Sequence, residues 1–488
     1  MRKSGILMHI SSIPSDYGIG TMGKESYKFI DFLKSSGQSY WQVLPINPTS
    51  YGDSPYQSPS AFAGNPYFID LDMLKDEGLL MQNEIDNYFF GNNPLDIDYY
   101  LLFQNRYPLL RTAFSRFEPD EKYKEFTEKN TFWLDEYALF MALKEENHYR
   151  SWIWWDTPYR THAVGAIEEA KVRLKSKIEF YKFLQFKFFE QWSALKKYAN
   201  DNGIKIIGDM PIYVALDSAE VWSMPELFQL DDEHLPTKVA GCPPDAFSED
   251  GQLWGNPLYR WDDMEKDGFK WWVERLRTAS ELYDRLRIDH FRGFESYYTI
   301  EYGREDAKVG AWEKGPGMKL FNKLKENLGD IDIIAEDLGF LTPEVHELLK
   351  LSGYPGMKVM QFAFDPYGDS SYMPHNHVEK CVLYTGTHDN DTTKGWYGSL
   401  RDDERAFVND YLRIKSYDDA VMAVVSSALS SVAETVIIPI QDYMELGSEA
   451  RMNTPSTLGG NWCFRIKKDD INSALEEKVR RLTGLYRR

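Results

Sequence analysis

Apolar residues along the chain gather in short runs of Ile, Val, Leu, Met and Tyr, and helical patterns lie between the runs. Eight runs read as strands: 5–10, 40–45, 205–209 continuing through 210–214, 286–291, 331–336, 358–364, 381–385 and 436–440. Near-continuous apolar runs of this length suit strands buried on both faces of a parallel sheet. The segment 25–35 carries Phe29, Ile30, Phe32 and Leu33 and stops at Gly37, a residue suited to ending a helix. The segment 343–351 opens with Thr342 as N-cap and Pro343 in the first helical position. Segments 417–432 and 471–486 also read as helices. Alternation of strand and helix predicts an α/β fold with a parallel sheet. Eight such units predict a closed (β/α)8 TIM barrel rather than an open doubly wound sheet.

Two intervals are too long for ordinary connections, roughly 47–203 and 215–285. The first holds helical patterns at 132–145 and 178–199. Both follow the C-terminal end of a strand, the active face of a barrel, so they are expected to be subdomains walling a substrate groove. No repeat, low-complexity tract or linker divides the chain, and 1–488 is expected to be a single catalytic barrel domain with these insertions.

Composition narrows the classes. With 43% hydrophobic residues the chain can build a large core. A net charge of −20 argues against a phosphate-binding surface and therefore against nucleic acid. Cys242, Cys381 and Cys463 are scattered, with no CxxC pair, so neither a disulfide framework nor a zinc site is expected. The opening MRKSGILMHISSIPS has too short an apolar run for a secretory leader. No stretch approaches the roughly 18 apolar residues of a membrane span, and a cytoplasmic location without membrane contact is expected. Aromatic residues make up 15% of the chain, which serves a large core and could also line a groove with rings that face sugars.

The candidate chemistry lies at strand ends. Asp209, Asp289, Glu336–Asp337 and Asp389 each close a predicted strand. A single acid there is ordinarily a turn or helix cap; four at the same end of successive strands point to a site. Arg287 and Asp289 are two apart on a strand and share a face. A guanidinium beside the acid favours its charged form, which suits a nucleophile; the same pair could equally be a buried salt bridge holding the barrel. Glu336 follows Ile333-Ile334-Ala335, and burial would raise its carboxyl, which suits a general acid. Alternation puts Glu336 and Asp337 on opposite faces without saying which one faces the barrel axis. Two carboxylates tuned in opposite directions are what glycosidic bond chemistry requires.

Four short motifs occur in order: Gly208-Asp209-Met210-Pro211-Ile212-Tyr213-Val214, Arg287-Ile288-Asp289-His290, Ala335-Glu336-Asp337-Leu338-Gly339 and Thr387-His388-Asp389-Asn390. With them stand Tyr51-Gly52-Asp53-Ser54-Pro55-Tyr56-Gln57-Ser58, Ala63-Gly64-Asn65-Pro66, Gly255-Asn256-Pro257-Leu258-Tyr259, Gly447-Ser448-Glu449-Ala450-Arg451-Met452-Asn453 and Gly460-Asn461-Trp462. From Gly5 to Trp462 the sequence resembles the 4-α-glucanotransferases called amylomaltase or disproportionating enzyme, within the α-amylase-like clan. The resemblance implies transfer of α-1,4-glucan segments between maltooligosaccharides, with hydrolysis as the alternative that shares the machinery. It implies that Asp289 is the nucleophile, Glu336 the general acid/base and Asp389 the third carboxylate, which holds sugar hydroxyls. It further implies that Arg287 orients Asp289, and that His388 and Asp209 hydrogen-bond the sugar at the reacting subsite. The stretch 241–255 resembles a loop over the active site, with Trp254, Tyr56 and Ser54 as candidate sugar contacts near it. Tyr51 matches a tyrosine at a second glucan-binding surface, where the partner position reads Phe103.

Other signals are discounted. Asp389-Asn390-Asp391 lacks the glycine and the closing glutamate of a calcium loop, so no metal is expected, nor any cofactor. His375 and His377 are read as exposed. Gly18, Gly20 and Gly23 form a GxGxxG string without its acidic partner and are read as a tight loop.

Overall fold

In the computed structural model, which describes residues 2–50, 52–244, 249–339 and 341–488, eight parallel strands form a nearly closed barrel. They are β1 (Lys3–Leu7), β2 (Tyr40–Gln42), β3 (Lys205–Met210), β4 (Arg285–Ile288), β5 (Ile333–Ala335), β6 (Gly356–Val359), β7 (Cys381–Tyr384) and β8 (Thr435–Pro439). The order around the sheet is β6-β7-β8-β1-β2-β3-β4-β5. β1 therefore pairs with β8, from Lys3 opposite Thr435 to Leu7 opposite Pro439. Across the remaining seam the Ala335 N–H donates to Pro355 O at 3.0 Å. All eight predicted runs overlap a strand, and the TIM barrel expectation holds.

Most of the strands are shorter than the apolar runs. Beyond β1, β4 and β6 the chain turns into 3-10 segments at Ile10–Ser12, Phe291–Phe294 and Met360–Phe362. Ile10, Ile212, Phe291 and Met360 are nonetheless buried. Their apolar character answers to the insertions covering the rim, not to continued pairing in the barrel sheet. Gly208 in β3 shows how close the packing is: a Cβ there would lie 2.2 Å from the Tyr283 ring.

Helices fall close to expectation. Lys24–Ser35 ends two residues before Gly37, whose φ of +78° makes it a left-handed stop. Pro343–Ser352 begins after Thr342. Residues 417–432 divide into a 3-10 turn, Tyr417–Asp419, and the helix Ala420–Ser430. The last helix, Ser473–Tyr486, starts later than expected because the Asn472 side chain accepts the Ala474 and Leu475 N–H groups, each at 3.1 Å.

The insertion between β2 and β3 is largely helical; Thr131–Glu146 packs along the long Lys175–Asp201 helix. Unanticipated in the sequence is a four-stranded antiparallel sheet. It is built from Lys238–Cys242, Gln252–Pro257, Ser296–Glu301 and Ala311–Lys314. It draws on both sides of β4 in the chain, so the segment after Asp289 feeds directly into a wall of the active face.

Candidate active site

The backbone ladder continues just past the strand ends and fixes the acids there. The Asp289 N–H donates to Met210 O at 3.0 Å, and the Glu336 N–H to Ile288 O at 3.1 Å. β3, β4 and β5 thus present Asp209, Asp289 and Glu336 side by side. Asp209 stands directly opposite Arg287 in the ladder. Arg287 Nη1 reaches both Asp209 oxygens, at 2.7 and 2.6 Å, while Nη2 reaches Asp289 Oδ1 at 2.8 Å. The Tyr56 hydroxyl donates to Asp209 Oδ2 at 2.9 Å. The Asp209 side chain is 0% exposed and that of Asp289 30%. Asp209, expected to touch the sugar, is therefore inaccessible. It anchors Arg287 and Tyr56 from beneath, and Asp289 presents the open carboxylate.

Glu336 has a different setting. Its Oε2 accepts the His290 N–H and its Oε1 the Leu338 N–H, each at 2.7 Å. Burial pushes its carboxyl up to about 7, the negative charge of Asp289 adding to the effect. Asp337 is buried on the opposite side of the strand, where Oδ1 accepts the Met357 N–H at 2.6 Å. The ambiguity between the two neighbours is thereby resolved in favour of Glu336. His290 adopts a left-handed backbone, φ +54°, which aims its N–H at Glu336. Burial pushes its imidazole down to about 4, so it is neutral near pH 7. Its ring meets the edge of Trp254 at 4.8 Å.

Asp389 follows β7. Its Oδ2 lies 3.3 Å from His388 Nε2, and its Oδ1 accepts Asn453 Nδ2 at 2.6 Å. The His388 ring stacks on Tyr56, 5.2 Å between centroids at 13°, and both rings pack against Trp462. Six residues expected at the site, Tyr56, Arg287, Asp289, Glu336, His388 and Asp389, thus belong to one connected cluster. Asp289 and Asp389 offer accessible carboxylates, beside a raised carboxyl and an aromatic floor. That arrangement can protonate a leaving oxygen, attack an anomeric carbon and hold sugar hydroxyls.

A sequence model of the family described as 4-alpha-glucanotransferase matches residues 8–471. The chain belongs to the 4-alpha-glucanotransferase family. It is 51% identical over 487 residues to the 4-alpha-glucanotransferase of Clostridium butyricum, covering 99% of this chain and 100% of that one. It is 47% identical to the 4-alpha-glucanotransferase of Thermus thermophilus, with 96% of each chain covered. The solved structure of amylomaltase from Streptococcus agalactiae in complex with acarbose matches it with a TM-score of 0.98 at 42% identity, covering 100% of both chains.

Within this family setting the remaining expectations fall out unevenly. Ser54 caps a turn, its Oγ accepting the Tyr56 N–H at 3.3 Å. Gln57 ties that turn to the wall, donating to Trp254 O at 3.4 Å and to Asn256 Oδ1 at 3.3 Å. Trp254 is half-buried on the strand Gln252–Pro257. Residues 245–248 of the expected loop, and Tyr51 of the second glucan surface, lie outside the described residues. Phe103 is 41% exposed and meets Tyr149 edge-on at 5.0 Å. His377, read as exposed, is buried, with Nε2 2.8 Å from Tyr372 O; His375 is exposed. Among the described residues no group of three or more His, Cys, Asp or Glu side chains is placed to hold a metal ion. No helix among them is long and apolar enough to cross a membrane. Sequence reasoning gave no role to His290, Arg451, Asn453 or Trp462. The only signal was their presence in family-like stretches, since what places His290 and Trp462 is a positive φ, +54° and +65°.

Proposed function

We propose that the protein is a retaining 4-α-glucanotransferase that passes segments of α-1,4-glucan from one maltooligosaccharide to the 4-hydroxyl of another glucan or of glucose. The observation that carries this reading is the contrast between two carboxyl groups on adjacent strands. Asp289 is ion-paired to Arg287 at 2.8 Å, and Glu336 is raised to about 7. Membership of the 4-alpha-glucanotransferase family narrows the chemistry to this donor bond and favours transfer over hydrolysis.

In the first step Glu336 gives its proton to the glycosidic oxygen while Asp289 attacks the anomeric carbon. The C–O bond breaks, the reducing-end fragment leaves as an alcohol, and the donor glucan stays as an ester on Asp289. In the second step the ionised Glu336 takes the proton of the acceptor 4-hydroxyl, whose oxygen displaces Asp289. Two inversions restore the α configuration. The balance needs no cofactor. Asp389 and His388 hold hydroxyls of the sugar being transferred, and the negative charge of Asp389 favours its oxocarbenium-like transition state. Arg287, anchored on Asp209, keeps Asp289 aimed. The sheet carrying Trp254, tied to the 54–57 turn, shields the ester from water until an acceptor sugar replaces the leaving fragment. The scattered cysteines fit a reducing cytoplasm, where maltodextrins would be the substrates.

The test is to trap the intermediate. Glu336→Gln should still react with α-maltosyl fluoride, whose leaving group needs no acid, and should deglycosylate slowly for want of a base. Mass spectrometry of the digested protein should find a glucan mass on the peptide carrying Asp289. A label on another peptide would refute the assignment.

A further inference from the structure

Asp389 has a half-exposed side chain, 43% accessible; its Oδ2 lies 3.3 Å from His388 Nε2, and its Oδ1 is held from elsewhere. What holds it comes from 64 residues further along the chain. Asn453 Nδ2 donates to Asp389 Oδ1 at 2.6 Å, while the Asn453 N–H donates to His388 O at 3.1 Å. Arg451 closes the clamp: Nη2 donates to Asp389 O at 2.6 Å and Nε to Asn453 O at 2.8 Å. The next residue is tied too, the Thr454 N–H donating to Asn461 Oδ1 at 2.9 Å. Both peptide groups of Asn453 are therefore engaged, and its amide is left to face the carboxylate. The NH2 end must point there, because the amide oxygen would repel Asp389.

We propose that Asn453, set by Arg451, is the positioning residue of Asp389, orienting the carboxylate without cancelling its charge. The inference rests on the role given to Asp389 above. A cation bonded to that carboxylate would offset the negative charge that an oxocarbenium-like transition state needs. A neutral amide fixes the geometry and leaves the charge in place. The cation at hand, Arg451, is directed instead to the backbone carbonyls of Asp389 and Asn453.

Asn453→Asp tests this, because it keeps the shape and replaces the donor by an acid. At acid pH one proton shared between the two carboxyl groups restores a donor to Asp389. As pH rises that proton is lost and the two charges repel. His388, Arg451 and Tyr56, which also face the pair, are unchanged in the variant. The readout is kcat for transfer from maltotriose, taken as a ratio to wild type at each pH, with thermal unfolding run in parallel. Asn453→Asp should approach wild type at acid pH and fall roughly 10–100-fold below it at neutral pH, with KM changed much less. Asn453→Ala should be low at every pH, and both should unfold near the wild-type temperature. A ratio for Asn453→Asp that does not vary with pH, whether high or low, would overturn the inference. Asp389→Asn is the control. If it transfers normally, the reading of Asp389 itself fails; if it is inactive, a flat Asn453→Asp profile counts against the positioning role alone.

Discussion

Glu336 and Asp289 close neighbouring strands, yet their surroundings differ. Arg287 pairs with Asp289, whereas Glu336 is buried and faces the charge of its neighbour. A carboxyl raised to about 7 from the usual 4.5 keeps its proton up to neutrality. The proton binds the folded protein more tightly than the unfolded chain. The stabilisation this gives is fully present below about 4.5 and is lost as pH rises toward about 7. Activity follows the same group: kcat/KM for maltotriose should fall on the alkaline side with an apparent pKa near 7. A profile that stays flat well above neutrality would contradict the general-acid role of Glu336. At this scale the acids themselves were legible, because a strand end is where a barrel keeps its polar groups. Their partners were less so. That Asp209 serves Arg287 depends on a cross-strand register that only the ladder reveals. That Asn453 serves Asp389 depends on a loop returning from 64 residues away.

The strands were readable for a physical reason. Each is largely buried, so its residues are mostly apolar and the run stands out. The antiparallel sheet was not, because two of its strands are largely exposed: Ala311–Lys314 has no fully buried residue, and Gln252–Pro257 is buried only at its end. Packing within the insertion offers a sharper test. Gly64 lies against Phe188 of the Lys175–Asp201 helix, where an added Cβ would come within 2.0 Å of the ring. Gln185 of the same helix binds Gly64 twice, accepting its N–H at 2.7 Å and donating to its carbonyl at 3.0 Å. Gly64→Ala must push the helix away or break that pair. It should cost about 2 kcal/mol or more, read as a fall in denaturant midpoint. An unchanged midpoint would mean that the segment around Gly64 yields freely.

The whole molecule carries a net charge of −20, yet the proposed substrate is neutral. The charge therefore serves solubility, and recognition is left to rings and hydrogen bonds at the active face. One connected hydrophobic core runs from the barrel strands into the helices of the insertion, from Ile6 to Trp133 and Phe183. The site is thus mounted on one continuous core. Hydrolase and transferase share every catalytic group described, so product distribution is the measurement that separates them. The protein should be incubated with maltotriose alone and the products resolved by length over time. The account predicts glucose together with a ladder of longer maltooligosaccharides, and almost no net gain in reducing ends. Shorter products alone, with reducing ends rising steadily, would contradict it.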